Sequence, residues 1–431
     1  MSGAAIGSAE VGQTDDRRGT LWHDGRFLTF WFGESIAQFG QQITQLAVRL
    51  TAVTVFAASP GKLGVLNAMA FAPYLLFTLP AGKLADVADR RLMMIICNLG
   101  RAVIFVVLPV LAHLGLLRFE YLVGLSFLAA TFAVGFDVSY QSFVPVLLPK
   151  ESLVEGNSKL YASTSAAQIG GPGVGGLLIQ LLTAPITLLA NGIAFFVSVL
   201  TLLFIKPPRR DAPAVAAART GIFHGLRFIF TEPRLRPCVL QGASYNLFWM
   251  AMQTIFLVYA TDRLDFSAGI IGVVIGSGAV GSLFGSMFAR RLSARFGFGA
   301  VTVTAVGAQC LGVFLIPLFS GSRSLMIAWL AMSFLVMGLG TAVTNVNLVT
   351  LRQTITPSDL LGRMNAGYRF LTWGVVPIGA LMGGGLADLL GYRPALLVTG
   401  GAVFSSLAAV YFSPVRRFTV LPHENDGPFP T

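Results

Sequence analysis

Twelve long apolar stretches divide this chain, at roughly 27–57, 63–82, 92–114, 119–147, 159–183, 186–206, 236–261, 268–290, 299–320, 325–351, 365–389 and 394–414. Each can cross a hydrocarbon core of about 30 Å as a helix, which needs about 20 residues. Lipid offers the backbone no hydrogen-bond partner, so spans of this kind must satisfy their own amides. Composition agrees, with 55% hydrophobic and 11% charged residues and a mean hydropathy of +0.73, against about 25% charged in soluble domains. The pattern predicts an all-α membrane protein of twelve transmembrane helices, six in each half.

The halves echo each other at an offset of 208 residues: Pro149, Glu151, Leu153 and Asn157 fall on Pro357, Asp359, Leu361 and Asn365. Leu63-Gly64-Val65 falls on Ile271-Gly272-Val273, and Leu84 on Leu292. Two related membrane halves can rock about a shared central site, which is the mechanical basis of alternating access.

The expected organisation is an N-terminal tail (1–26), a six-helix bundle (27–206), a linker (207–235), a second bundle (236–414) and a C-terminal tail (415–431). Residues before Phe27 are polar, include Arg17, Arg18 and Arg26, and lead straight into a full-length span. No cleavable signal is therefore expected, and the first helix serves as its own insertion signal. Of 30 lysines and arginines, only Lys62, Arg118, Arg263, Arg323 and Arg393 fall in loops opposite the termini, and Arg49 and Arg101 lie inside spans. The remainder share the terminal side, which predicts both termini in the cytoplasm of a plasma membrane, the inner one in a bacterium. The net charge of +11 is thus mainly an orientation signal. No basic face on a soluble module suggests a nucleic-acid partner. The linker's Pro207-Pro208-Arg209-Arg210 is expected to meet anionic headgroups, and Gly225 to Phe230 to form a short interfacial helix.

Several function classes fit poorly. Cys97, Cys238 and Cys310 all fall within spans, placed for neither an extracytoplasmic disulfide nor a metal. His23, His113, His224 and His423 lie at ends or in loops, away from any mid-membrane relay. Both Gly-Lys pairs, at Gly61 and Gly82, are followed by leucine rather than the serine or threonine of a phosphate-cradling loop. No nucleophile–base pair stands out, so neither an enzyme nor a cofactor is expected.

Between spans 2 and 3 runs Gly82-Lys83-Leu84-Ala85-Asp86-Val87-Ala88-Asp89-Arg90-Arg91. Five charges in so short a loop, introduced by a glycine, suit a tight crossover in which carboxylates pair with guanidinium groups. A plain solvated turn with topogenic arginines explains it equally well. Together with twelve spans and the repeat, the glycine, the aspartate four residues on and the basic pair resemble the signature loop of the major facilitator superfamily. The resemblance assigns Gly82, Asp86, Arg90 and Arg91 to gating of the cytoplasmic face. The second half carries Ala294 where the first carries Asp86, so any such gate depends chiefly on Asp86.

Pro149-Lys150-Glu151 and its echo Pro357-Ser358-Asp359 look like loops of the branch that includes enterobactin exporters and macrolide-efflux proteins, which implies a proton-driven exporter. In span 5, Gly170-Gly171-Pro172-Gly173-Val174-Gly175-Gly176 resembles the glycine-proline motif of antiporters in the superfamily. Gly171, Gly175 and Gly176 also suit plain close helix packing, and Pro172 a local bend. Pro377, Gly379 and Gly383-Gly384-Gly385 make a looser counterpart in span 11.

Four charged residues lie inside spans: Glu34, Arg49, Arg101 and Asp137. Each costs about 2.5–3.5 kcal/mol on insertion scales, so each is a functional candidate. Arg101 and Asp137 fall about 15 Å from the terminal-side ends of spans 3 and 4, and Glu34 about 10 Å along span 1. The resemblance places spans 1, 4, 7 and 10 around the central cavity, where Glu34 or Asp137 could exchange a proton with Arg101 as partner. Arg101 and Asp137 could instead form a permanent structural pair. Arg49 could snorkel toward the far face or attract an anionic group. Gln38, Gln41, Gln42 and Gln45 fall at helical spacing in span 1. With Asn246, Trp249 and Gln253 in span 7 and Asn345 and Asn347 in span 10, they are candidate cavity residues, interhelical hydrogen bonding being the alternative.

The sequence therefore predicts a secondary transporter of the major facilitator type, a proton-linked exporter of amphipathic small molecules such as drugs or siderophores, working as a monomer in the bilayer. An importer or facilitator of a small solute, or a non-transporting receptor-like relative, is the competing reading.

Overall fold

A computed structural model describes residues 21–148, 152–205, 223–357 and 360–419. The expected tails before residue 21 and after residue 419, most of the linker, and the loop residues Pro149, Lys150, Glu151, Ser358 and Asp359 lie outside the described residues, as does the Asp86 side chain.

Helices α1 (Gly25–Phe56), α2 (Pro60–Val87), α3 (Arg90–His113), α4 (Phe119–Leu147), α5 (Leu153–Leu182) and α6 (Ala184–Phe204) form the first bundle. After the short α7 (Phe223–Thr231) come α8 (Leu235–Asp262), α9 (Ala268–Phe296), α10 (Phe298–Leu315), α11 (Arg323–Ile355), α12 (Leu361–Trp373), α13 (Val376–Leu390), α14 (Tyr392–Ala402) and α15 (Phe404–Tyr411). Span 11 is thus the pair α12 and α13, and span 12 the pair α14 and α15. The break in span 11 precedes Pro377, which lacks the amide that a continuous helix would need there.

Helix starts follow local chemistry. Asp24 caps α1, Ser59 caps α2 with Pro60 at its first position, Asp89 caps α3 and Ser267 caps α9. Eight spans meet the length and hydropathy expected of membrane helices among the described residues. The other four, α1, α2, α5 and α8, hold Glu34 and the glutamines, Asn67, Lys159, and Asn246 with Gln253. Polarity therefore concentrates in helices that face the seam between the halves.

Within the first bundle α1 packs on α5 and α6, and α4 on α2 and α3; within the second α11 packs on α9 and α10, and α8 on α13 to α15. The halves meet where α2 lies on α13 and α5 lies on α9. These two seams are copies. A Cβ on Gly64 would meet the Ala380 carbonyl and the Gly384 Cα, and one on Gly272 would meet the Pro172 carbonyl and the Gly176 Cα. Likewise Gly384 faces Pro60 and Gly61, and Gly176 faces Ala268 and Gly269. All of these positions lie toward the end opposite the termini, and every pair maps onto the other at the 208-residue offset.

The turn between α5 and α6 shows where the copies differ. Thr183 adopts φ 81, and its counterpart Gly391 adopts 79. A threonine there is strained, whereas glycine is at ease. Thr183→Gly is expected to stabilise the protein by about 1 kcal/mol, read as a higher Tm in detergent.

The helix expected at 225–230 forms as α7, but it packs on α12 rather than only facing lipid: Leu226 and Ile229 seat against Gly367. Arg236 returns to the Phe230 carbonyl at 2.7 Å, closing the connection into α8.

Candidate functional site

Two polar centres lie along the inside of the bundles. The first is confined to the N-terminal half. Glu34 on α1 is buried and accepts a hydrogen bond from Gln38 Nε2 at 2.7 Å, while its other carboxylate oxygen has no partner among the described residues. Arg101 on α3, 5% exposed, donates to Gln41 Oε1 at 2.8 Å and to Asn98 Oδ1 at 3.4 Å. Its guanidinium lies 3.7 Å from the Phe195 ring centroid. Asp137 on α4 accepts from the Tyr74 hydroxyl at 3.1 Å.

Arg101 and Asp137 therefore do not form the direct ion pair weighed from the sequence; each binds neutral partners instead. They remain close enough to act on each other through their charges, and both act on Glu34. Arg369, exposed on α12 of the other half, also acts on Asp137 and Tyr74. Its position follows from packing. Phe71 and Trp373 meet at 6.2 Å between ring centroids, and one turn nearer the termini the antiparallel helices present Tyr74 and Arg369.

The second centre is a cavity of about 360 Å³ between the halves, lined by Gln45, Arg49, Asn246, Trp249 and Gln253 among others. Its size suits a small molecule. Its walls are aromatic: Tyr245 stacks on Trp249 at 6.3 Å and 1°, and Trp249 meets Phe334 edge-on at 5.9 Å. Arg49 Nε donates to Asn67 Oδ1 at 3.1 Å, and Asn67 Nδ2 donates to Thr254 Oγ1 at 3.0 Å, linking α1, α2 and α8.

The expected row of cavity glutamines is divided. Gln38 and Gln41 serve the buried charges, because an amide is the nearest group able to satisfy them. Gln42 lies under Gly171, where a Cβ would collide with it. Only Gln45 of the four lines the cavity. Asn246 lines it while donating to the Thr372 carbonyl at 2.9 Å. Asn345 and Asn347 do not: Asn345 is exposed, and Asn347 is buried between Ser293 Oγ at 3.1 Å and Thr302 Oγ1 at 3.0 Å, tying α9, α10 and α11. Asn347 thus faces the packing of its own bundle.

The residues expected to gate divide similarly. Arg91 donates through Nε and Nη2 to the carbonyls of Leu202 and Leu203, both at 2.8 Å, so it caps the end of α6. Arg90 is half-buried at the start of α3. In α5, Gly171 and Gly175 receive α1 at Gln42 and Ile43, whereas Gly176 and the Pro172 carbonyl serve the seam with α9. At the terminal end of that helix Lys159 binds Glu155 at 2.6 Å and holds its carboxyl below the usual range.

Sequence reasoning missed Asn67, Tyr74, Thr254 and Arg369. A signal existed for two of them: Asn67 and Tyr74 stand seven residues apart on α2 and so share one face.

The model of the family described as transmembrane secretion effector matches residues 22–430. The multidrug efflux pump Tap of Mycolicibacterium fortuitum is 28% identical over 342 residues, covering 75% of this chain and 80% of the relative. The enterobactin exporter EntS of Salmonella typhimurium is 22% identical over 301 residues, 66% of this chain and 67% of the relative. Among solved structures, the nucleoside transporter NupG superposes with a TM-score of 0.70 at 12% identity, covering 90% of this chain and 99% of that one. Twelve spans in two copied bundles, a cavity between them and a family match over nearly the whole chain have one meaning: the protein belongs to the transmembrane secretion effector family of major facilitator transporters, multi-pass membrane carriers of small molecules rather than enzymes.

Proposed function

We propose that this chain is a proton-coupled exporter of amphipathic small molecules, working by alternating access as a monomer with both termini in the cytoplasm. The observation that carries the coupling is a mismatch of charge in the N-terminal half: two carboxylates, Glu34 and Asp137, share one buried guanidinium, Arg101. A net charge among groups that are buried or half-buried is costly, and one proton held on either carboxylate removes it. Among the described residues one oxygen of Glu34 has no hydrogen-bond partner and Asp137 has only Tyr74, which leaves both groups free to take that proton.

Arg369 supplies the link to motion. It belongs to the other half, so its distance from Asp137 changes when the halves rock. Approach of Arg369 favours an ionised Asp137, and retreat favours a protonated one. The glycine seams hold the halves together at the end opposite the termini, which supports a carrier that opens on the side of the termini. Export is supported by the relatives Tap, a multidrug efflux pump, and EntS, an enterobactin exporter.

The test is transport by purified protein in vesicles with an imposed proton gradient and a panel of amphipathic compounds. Wild type is expected to accumulate substrate against its gradient. Asp137→Asn should fall to the level of empty vesicles in that assay while retaining downhill exchange. Undiminished gradient-driven transport in both Asp137→Asn and Glu34→Gln would remove these carboxylates from coupling.

A further inference from the structure

We propose that the molecule carried presents a carboxylate to Arg49, so that the substrates of this transporter are acidic aromatic amphipaths. The inference rests on the reading of the inter-half cavity as the substrate site and goes further by naming the charge of its occupant.

Arg49 uses its Nε hydrogen on Asn67 at 3.1 Å. Asn67 is itself fixed by Thr254 at 3.0 Å, and Thr254 Oγ1 donates to the Met250 carbonyl at 2.9 Å. The guanidinium plane is therefore set by a chain of bonds running from one half to the other, and its two terminal nitrogens make no hydrogen bond among the described residues. Those two nitrogens present parallel N–H groups, the geometry that a carboxylate accepts in a bidentate pair.

No carboxylate among the described residues answers this charge. Arg49 is half-buried on the cavity wall with no carboxylate beside it, in contrast to Arg101, on which Glu34 and Asp137 both act. Glu34 stands fifteen residues earlier on α1, or about 22 Å along the helix axis. A guanidinium partly withdrawn from water without a counter-ion carries a desolvation cost. Snorkelling would relieve that cost by turning the head group toward water, but the bond to Asn67 turns it sideways onto α2 and the cavity. An anionic occupant relieves the cost in place.

The rest of the cavity describes the body of that occupant. Trp249 stacked on Tyr245 comes from α8, and the Phe71–Trp373 pair joins α2 to α12. Flat aromatic walls supplied by both halves, in about 360 Å³, fit one or two fused rings carrying a short acidic arm. Because the walls and the Arg49–Asn67–Thr254 chain draw on both halves, the carboxylate would be gripped only while the halves hold this arrangement, and rocking would release it.

Binding, rather than transport, tests this. Purified protein in detergent is titrated with 2-naphthoate, its methyl ester and 2-naphthylmethylammonium, following tryptophan quenching and calorimetry. Wild type should bind naphthoate about tenfold or more tightly than the ester, and the ammonium least. Arg49→Gln should bind naphthoate and ester alike, and Arg49→Lys should keep part of the preference, since it keeps the charge without the fork. Monodisperse elution and an unchanged melting profile exclude misfolding of the glutamine variant, and the lysine variant gives the same comparison with the charge retained. Equal binding of acid and ester by wild type, tighter binding of the ammonium, an undiminished preference in Arg49→Gln, or no saturable naphthoate binding at millimolar concentration would each overturn the proposal. A carboxylate preference that depends on Arg49, found alongside undiminished transport in the Asp137 and Glu34 variants, would remove proton coupling through those carboxylates and leave this proposal intact.

Discussion

Gly384→Leu is expected to abolish transport while leaving the fold standing. A Cβ at Gly384 would lie 2.9 Å from the Gly61 Cα and press on the Pro60 carbonyl, both backbone groups of α2 in the other half. Backbone cannot rotate away as a side chain can, so the leucine must part the two helices. Overpacking of this kind costs about 1–3 kcal/mol. The cost falls only on the conformation in which this seam is closed, and about 3 kcal/mol shifts a two-state equilibrium by about 150-fold. Adding Gly176→Leu at the copied seam, where a Cβ would lie 3.2 Å from the Gly269 Cα, should about double that free energy and hold the face opposite the termini open.

The readout is alkylation of Gln253→Cys in the cavity by an impermeant reagent applied from that face, which should rise as transport falls. Two neighbours give the contrast. A Cβ on Gly385 meets nothing within 4 Å, so Gly385→Leu should transport normally. Gly338 lies against Gly278 within a single half, so Gly338→Leu should lower Tm and yield instead of shifting accessibility. Wild-type transport by Gly384→Leu, or unfolding like that of Gly338→Leu, would show that the seam does not open during the cycle.

That seam was legible in the sequence as a repeat, though its meaning was not. The 208-residue offset joins Gly64 to Gly272 directly, and the structure extends it to Pro60 and Ala268, Pro172 and Ala380, and Gly176 and Gly384. Span number and the four intramembrane charges follow from hydropathy and charge placement, which lipid enforces residue by residue. Pairing inside the bundles does not follow, because lipid constrains only what faces it. Helical spacing put Gln38, Gln41, Gln42 and Gln45 near one face, but it does not say that Glu34 and Arg101 would each claim one of them. Asn347 looked like a cavity residue because span 10 was expected to line the cavity, yet its face turns to Thr302 and Ser293. Conversely, Tyr74 and Asn67 are neutral residues of α2, a span that the resemblance leaves outside the cavity-lining set, so neither carries the cost that marks an intramembrane charge.

Arg101→Met is expected to destabilise the protein by about 3–5 kcal/mol, the usual result of removing one partner from a buried charge set. The side chain acts in three ways. Its stacking on Phe195 at 3.7 Å is apolar and partly electrostatic contact that methionine can replace in volume but not in charge. Its bond to Gln41 at 2.8 Å satisfies an amide oxygen that would otherwise lie unpaired. Its charge offsets Glu34 and Asp137. Only the last of these can be restored without the arginine, by making both carboxyls neutral. The triple variant Arg101→Met, Glu34→Gln, Asp137→Asn should therefore recover most of the lost stability in a detergent melting assay, although it should not couple transport to protons. Arg101→Lys should lose less than Arg101→Met, about 1–2 kcal/mol, because an ammonium keeps the charge while giving up the planar stack and the second hydrogen bond. If the triple variant melts no higher than Arg101→Met, Arg101 acts through packing on Phe195 and its two amide partners alone. The charge mismatch that motivates proton exchange would then have no energetic weight in the folded protein.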